Sequence, residues 1–367
     1  MFSTNDFIPN KYTQSIENGS FQWSSPSNIA LVKYWGKKDK QIPANPSVSF
    51  TLSNCKTITT LAFAKKPISS ALPVEDSDFS FDLLFEGQSK EDFKPKIQQF
   101  FERISVYLPF LKEYHFTIDT KNTFPHSSGI ASSASGMAAL AMNLMSLEKT
   151  LNPTMTEDYF FQKASFLARL GSGSACRSIK GKVVVWGNHN TISGSSDLFG
   201  VEFPNTIHEN FNNFQDTILL VDKGEKQVSS SLGHNLMNGH PFAERRFDQA
   251  HENLDKLIAI FENGNLEDFI KVVESEALTL HAMMMCSMPY FILMKPNTLE
   301  IINAIWKFRN ATKTPVCFTL DAGANVHVLY PHNVKEKVLQ FIKDELVGYC
   351  QNAQYICDQI GSGSIAL

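Results

Sequence analysis

The chain has 367 residues, 43% of them hydrophobic and 29 of them Phe, with 33 basic against 37 acidic residues and a net charge of −4. That supply of apolar residues builds one or two packed cores and excludes a disordered or fibrous chain. The near-balanced charge leaves no electrostatic footprint for nucleic acid or an anionic membrane, and no stretch approaches the ~18 uninterrupted apolar residues of a membrane span.

In chain order, residues 1–20 are polar and predict a loosely held segment, with no signal-peptide pattern. Residues 49–64 (SFTLSNCKTITTLAFA) are rich in Thr and β-branched or aromatic residues and predict a strand pair broken at Asn54. A strand over 79–85 ends at Glu86-Gly87-Gln88, a hairpin-like turn. Phe93, Ile97, Phe100, Phe101 and Ile104 fall at helical spacing. The alternating segment 114–121 predicts a strand that runs into a Gly/Ser-rich loop and a small-residue helix from near Ser132. A helix over 156–170 has Thr156 as N-cap and Gly171 as its stop. A short buried strand covers 182–186.

Residues 188–214, rich in Asn, Ser and Gly, are the best linker candidate. Beyond them lie a strand at 217–222 and a long helix with Phe247, Ala250, Leu254, Leu257, Ile258 and Phe261 on one stripe. A further helix carries Leu299, Ile302, Ile305 and Trp306. Strands 316–320 and 326–330 bracket Asp321-Ala322-Gly323, and a final helix carries Val334, Val338, Phe341 and Ile342. This order predicts an α+β fold with two domains, 1–200 and 201–367. The six cysteines form no CxxC pair and read as reduced thiols of a cytoplasmic protein.

Four loops carry the chemistry. Residues 124–136 (FPHSSGIASSASG) join a strand to a helix, and such a junction offers unpaired N–H donors and a partial positive charge. It suits a phosphate cradle about as well as a small-residue helix packed on a sheet, and it matches neither a Walker A loop nor GxGxxG. Residues 171–178 (GSGSACRS) surround Arg177, one of only six arginines, with serines. Arg177 suits a phosphate or carboxylate grip, although the segment taken alone reads slightly better as a solvent loop with a surface Arg. Residues 27–39 put Lys33 directly behind an apolar run, where it either snorkels or meets an anionic partner. In 319–325 Asp321 lies between two apolar segments, where Asp-Ala-Gly is also ordinary turn chemistry. The histidines show no metal spacing, and no metal ligand set is readable.

Taken together, NIALVKYWGKKD, FPHSSGIASSASG, RLGSGSACRS and TLDAGAN resemble the diphosphomevalonate decarboxylases of the GHMP kinase superfamily, from about Phe21 to the C-terminus. The resemblance implies a two-domain GHMP kinase fold: an N-terminal mixed sheet with a phosphate-binding loop and helix, and a C-terminal ferredoxin-like α/β domain. It implies ATP-dependent decarboxylation of mevalonate 5-diphosphate to isopentenyl diphosphate, with ATP and Mg2+ and commonly a homodimer. By position, Asp321 matches the catalytic Asp and Lys33 the lysine that interacts with it. Arg177 matches the arginine that holds the substrate carboxylate, with Asn28 near it. Tyr34, Lys37, Ser172, Gly173, Ser174 and Ser230 match substrate-binding positions. Ser127, Ser128, Gly129, Ala131, Ser132 and Ser133 match the ATP phosphate loop.

The chain departs from the family pattern at His126, at Ala324 where a proline is usual, and at Ser231 and His234, where an Arg and a Met are frequent. Ser231 leaves diphosphate and monophosphate substrates both open. A mevalonate kinase of the same fold and a non-catalytic binding protein are the rival readings. Joint retention of Asp321, Lys33 and Arg177 favours the decarboxylase.

Overall fold

The first long strand, β1 (Asn18–Val32), changes character midway. It alternates exposed and half-buried residues up to Trp23, then is buried without interruption from Ser24 on. That switch marks where the strand becomes covered on both faces. In this computed structural model residues 2–67, 79–125, 130–222 and 230–367 are described. The positions His126, Ser127, Ser128 and Gly129 of the expected cradle, and the side chains of Ser230 and Ser231, lie outside them.

β2 (Ser47–Lys65) pairs antiparallel with β1 as one 19-residue strand, not as the expected pair broken at Asn54. The pairing steps from Pro26–Lys56 to Asn28–Thr51, so residues near Asn54 form a bulge. The N–H groups of Ser53, Asn54 and Cys55 donate to the Asp358 carboxylate at 2.9, 2.8 and 2.7 Å. One carboxylate takes the donors that the bulge removes from the ladder, and the strand continues.

The expected hairpin follows as β3 (Ser80–Phe85) and β4 (Gln88–Ser89), then α1 (Lys94–Ile104) and β5 (Tyr114–Asn122). β5 pairs antiparallel with β2 and parallel with β3, which makes the sheet mixed. α2 (Ser132–Leu151) is apolar on most of its circumference and is buried between the sheet and α3 (Glu157–Gly171). Thr156 caps α3 as its spacing predicts, accepting from the Tyr159 N–H at 3.3 Å. β6 (Val183–Trp186) extends the sheet from the first residues of β2, and β7 (Val201–Glu202) pairs with β6.

The second half contains β8 (Gln215–Leu219), α4 (Ser230–Asn235), α5 (Ala243–Asn263), α6 (Leu266–Met285), α7 (Pro296–Thr312), β9 (Cys317–Thr319), β10 (Val326–Tyr330), α8 (Lys335–Phe341), β11 (Tyr355–Gln359) and β12 (Ile365–Ala366). Its four-stranded sheet has the order β11-β8-β10-β9, antiparallel throughout, with helices between β8 and β9 and between β10 and β11. This is the ferredoxin-like arrangement. β12 returns to pair with β1 in the first sheet.

Two expected loose segments are packed. Phe7 is fully buried and stacks on Phe166 at a centroid distance of 4.2 Å. In 188–214, Ile192, Phe199, Phe203, Phe211 and Phe214 are buried. Burying one such side chain stabilises by about 1.5–3 kcal/mol, enough to anchor a segment whose other residues are polar. One apolar cluster joins the halves, with Ile29, Val48 and Phe50 against Ile218, Leu254 and Phe269.

Candidate active site

β1 ends where the halves meet, and this places Lys33, the next residue, under the second sheet. Its Nζ lies 3.1 Å from Oδ1 of Asp321, two residues past β9. Burial pushes the Lys33 ammonium below its ordinary value, and the neighbouring Asp321 charge opposes that shift. The turn expected at Asp321 is present, and its carboxylate faces a lysine.

Helix α6, which sequence periodicity did not single out, fixes both partners by their backbones. Glu276 accepts from the Lys33 N–H at 2.9 Å. Arg246 of α5 donates to Glu276 at 2.6 and 3.2 Å and to the Lys33 carbonyl at 3.2 Å. Asn45 donates to the same carbonyl at 2.9 Å. His281 lies 3.1 Å from the Asp321 carbonyl through Nε2. A carbonyl only accepts, so His281 carries its hydrogen there. Burial pushes His281 down to about 4, which keeps the ring neutral.

Arg177 sits in the 3-10 segment Gly173–Ser178 that follows α3. Its Nε donates to Ser49 Oγ at 2.6 Å and one terminal nitrogen to Ser47 Oγ at 2.7 Å. These serines are two apart on β2, so they point the same way. The guanidinium lies over the Trp186 ring at 5.6 Å. No carboxylate is within ion-pair distance of Arg177 among the described residues, although the side chain is buried. A buried charge held only by neutral hydroxyls calls for an anionic ligand.

Asn28 donates to Ser178 Oγ at 2.8 Å and to the Ser174 carbonyl at 3.2 Å, and its own Oδ1 is buried without a partner among the described residues. Tyr34 packs on Trp186 with its hydroxyl likewise unpartnered. Gly173 permits this packing, because a Cβ there would come within 2.9 Å of both rings. The Ser133 and Ser172 hydroxyls approach to 3.4 Å and bring the two Ser/Gly loops together. Ala131, the N-cap of α2, holds a left-handed backbone with φ of 40°.

One cavity of about 310 Å³ gathers Asn28, Lys33, Tyr34, Lys37, Ala131, Ser133, Ser172, Gly173, Ser174, Arg177 and Asp321. Ser132 lines an adjoining pocket of about 180 Å³ between α1, α2 and β5, floored by Leu83, Ile97, Ile118 and Met137. Ser127, Ser128 and Gly129 lie outside the described residues, as does the Ser230 side chain. Glu276, Arg246, Asn45, Ser47, Ser49 and His281 were not legible as site residues. Their only sequence signal is the scarcity of arginine.

A cavity with several cations, one carboxylate and an adjoining apolar pocket suits a small polyanion beside a nucleotide, and places this fold among enzymes that process phosphorylated metabolites. A family model for the diphosphomevalonate decarboxylase-like N-terminal domain matches residues 25–197, and one for the mevalonate 5-diphosphate decarboxylase C-terminal domain matches residues 217–362. The diphosphomevalonate decarboxylase of Saccharomyces cerevisiae is 29% identical over 90% of this chain and 81% of its own length. The solved mevalonate diphosphate decarboxylase of Staphylococcus aureus superposes with a TM-score of 0.79 at 26% identity, covering 95% of this chain and 98% of its own. A structure described as MDDEF in complex with MVAPP, AMPPCP and magnesium superposes with a TM-score of 0.78 at 26% identity, with the same coverage. The chain belongs to the diphosphomevalonate decarboxylase family.

Proposed function

We propose that this chain converts mevalonate 5-diphosphate and ATP to isopentenyl diphosphate, ADP, phosphate and carbon dioxide. The observation that carries this reading is buried Arg177, held by two neutral hydroxyls in the same cavity as the Lys33–Asp321 pair. Phosphoryl transfer needs a base and a phosphate grip. A second, carboxylate-holding cation is what decarboxylation adds.

The substrate's tertiary 3-hydroxyl is a poor leaving group until ATP phosphorylates it, and positioning with charge stabilisation supplies most of that catalysis. Asp321 accepts or orients the hydroxyl proton, and Lys33 keeps Asp321 ionised. Departure of the phosphate, which can take with it any proton that Asp321 accepted, leaves positive character on the tertiary carbon, and the ionised Asp321 carboxylate stabilises it. Arg177, with Asn28 beside it, holds the substrate carboxylate so that its C–C bond aligns. The electrons of that bond form the new double bond as carbon dioxide leaves.

Tyr34, Lys37, Ser172, Gly173, Ser174 and Ser230 receive the substrate phosphates. Ser127, Ser128, Gly129, Ala131, Ser132 and Ser133 receive those of ATP, whose adenosine occupies the apolar pocket beside Ser132. No cluster of three His, Cys, Asp or Glu side chains exists among the described residues. That donor set fits a Mg2+ carried chiefly on nucleotide phosphates, with the Ser133 hydroxyl of the cavity wall as the protein group that would hold it. When bound, the ion neutralises charge between the phosphates. The same reading takes residues 1–200 and 201–367 as the two domains of a cytoplasmic homodimer. No helix among the described residues is long and apolar enough to cross a membrane.

The test is release of labelled carbon dioxide from carboxyl-labelled mevalonate 5-diphosphate with ATP and Mg2+. Stoichiometric carbon dioxide and ADP are expected. ADP without carbon dioxide identifies a kinase, release from the 5-monophosphate alone reassigns the substrate, and no turnover with either leaves a binding protein.

A further inference from the structure

We propose that His234 is a substrate-positioning residue, whose neutral ring donates an Nε2–H hydrogen bond to the diphosphate end of the substrate. The inference rests on the decarboxylase reading for the identity of that anion, and on the geometry of the cavity wall for the residue.

His234 lies in α4 and lines the cavity that holds Lys33, Arg177 and Asp321. Its ring packs on Tyr34 at 4.1 Å and on Trp35 at 5.0 Å, and only 8% of the residue is exposed. The Gly36 N–H donates to its Nδ1 at 3.1 Å. A nitrogen that accepts a hydrogen bond carries no hydrogen, so the neutral ring must carry its own on Nε2.

The contact is built into the backbone. Gly36 has a φ of 94°, in the left-handed region, and a side chain there would also crowd Phe247 and Ala44 at 3.0 and 3.1 Å. Only glycine aims that N–H at the ring without strain. Burial, with Lys37 and Arg177 nearby, pushes His234 down to about 3, so the ring enters binding as a neutral donor.

Nε2–H has no protein partner among the described residues, and the neighbouring Tyr34 hydroxyl has none either. Two donors, one on buried His234 and one on half-buried Tyr34, therefore stand side by side at a cavity wall that also carries Lys37. The Tyr34 hydroxyl is buried without a partner among the described residues, which costs free energy, and Nε2–H of His234 lines the same cavity beside it, so an oxyanion there satisfies both. Neutral donors add directional grip without further cationic charge, so they favour a phosphate chain placed between them and Lys37.

The experiment combines kinetics with nitrogen-15 NMR on the full-length enzyme. With mevalonate 5-diphosphate, His234→Met is expected to raise KM about tenfold with kcat within about twofold, the loss of one hydrogen bond to a charged group. His234→Gln keeps one acceptor and one donor and is expected to restore most of that loss. The imidazole spectrum of the free enzyme is expected to show hydrogen on Nε2 alone, and titration with inorganic pyrophosphate is expected to move that signal. Hydrogen on Nδ1, an Nε2 signal indifferent to saturating pyrophosphate, or an unchanged KM in His234→Met overturns the proposal. Carbon dioxide release with an unchanged KM removes the role of His234 alone. If the unmodified enzyme releases none, the decarboxylase reading fails and the pyrophosphate titration still decides whether His234 holds this anion.

Discussion

Two ion pairs lie back to back across the peptide of Lys33, and their surroundings assign them opposite work. Behind it, Arg246 and Glu276 are both fully buried. The Glu276 carboxylate is saturated by Arg246, by Asn253 at 2.6 Å and by the Lys33 N–H. In front, Lys33 is buried but Asp321 remains 36% exposed to the cavity. A sealed pair whose carboxylate is saturated holds structure, whereas a pair open on one side can meet a reacting group. In the proposed reaction the front pair carries out the chemistry, and the back pair holds the Lys33 backbone in place.

Asp321→Asn should separate the two most sharply. It keeps the size and removes the charge, and should lower decarboxylation about 10³-fold, within the range of a lost general base, with nucleotide binding retained. Unchanged turnover in steady-state assays would remove Asp321 from the chemistry.

Glu276→Gln acts on the back pair and should cost about 3–5 kcal/mol in urea unfolding, because Arg246 is left buried without its partner. The paired change Arg246→Met with Glu276→Leu should recover most of that stability. It should not recover kcat, since the Lys33 N–H then loses its Glu276 acceptor and of the contacts to its carbonyl only that from Asn45 remains among the described residues. Full recovery of both would make the back pair structural only.

The smallest effect is a pH dependence. His281 is pushed down to about 4 in the fold against about 6.5 when unfolded. Its contribution is complete above pH 6.5 and is lost as pH falls toward about 4, because the unfolded chain binds a proton that the fold refuses. The slope is about 1.4 kcal/mol per pH unit over that window. His281→Asn keeps a donor for the Asp321 carbonyl and should reduce the measured slope by about that amount. His234 supplies a second such slope. An unaltered slope in His281→Asn would mean that His281 is protonated in the fold.

Much of the front wall was legible because its groups come in contiguous strings. Asn28, Lys33, Tyr34 and Lys37 lie in one segment, and Gly173, Ser174 and Arg177 in another, so local order carries the signal. Asp321 was legible only through its flanking pattern, since Asp-Ala-Gly alone reads as a turn. The back wall was not legible. Glu276 is one of four acids in its helix and is not distinguished from Glu274 by its neighbours, His281 precedes a Met run that reads as packing, and Arg246 lies on a helix that reads as packing. The bulge at Asn54 misled for the same reason: the carboxylate that completes it, Asp358, is about three hundred residues away.

By itself the sequence determined most of the elements, α6 and the unbroken β2 excepted, and which short loops hold candidate chemistry, because helix and strand periodicity, caps and turns depend on near neighbours. Tertiary structure alone decided which of those loops face one another, that Arg177 is buried without a carboxylate partner among the described residues, and that Glu276, Arg246 and His281 hold the Lys33–Asp321 pair. Those facts depend on burial and on contacts between residues far apart in the chain, where a charge is costly unless the fold supplies its partner.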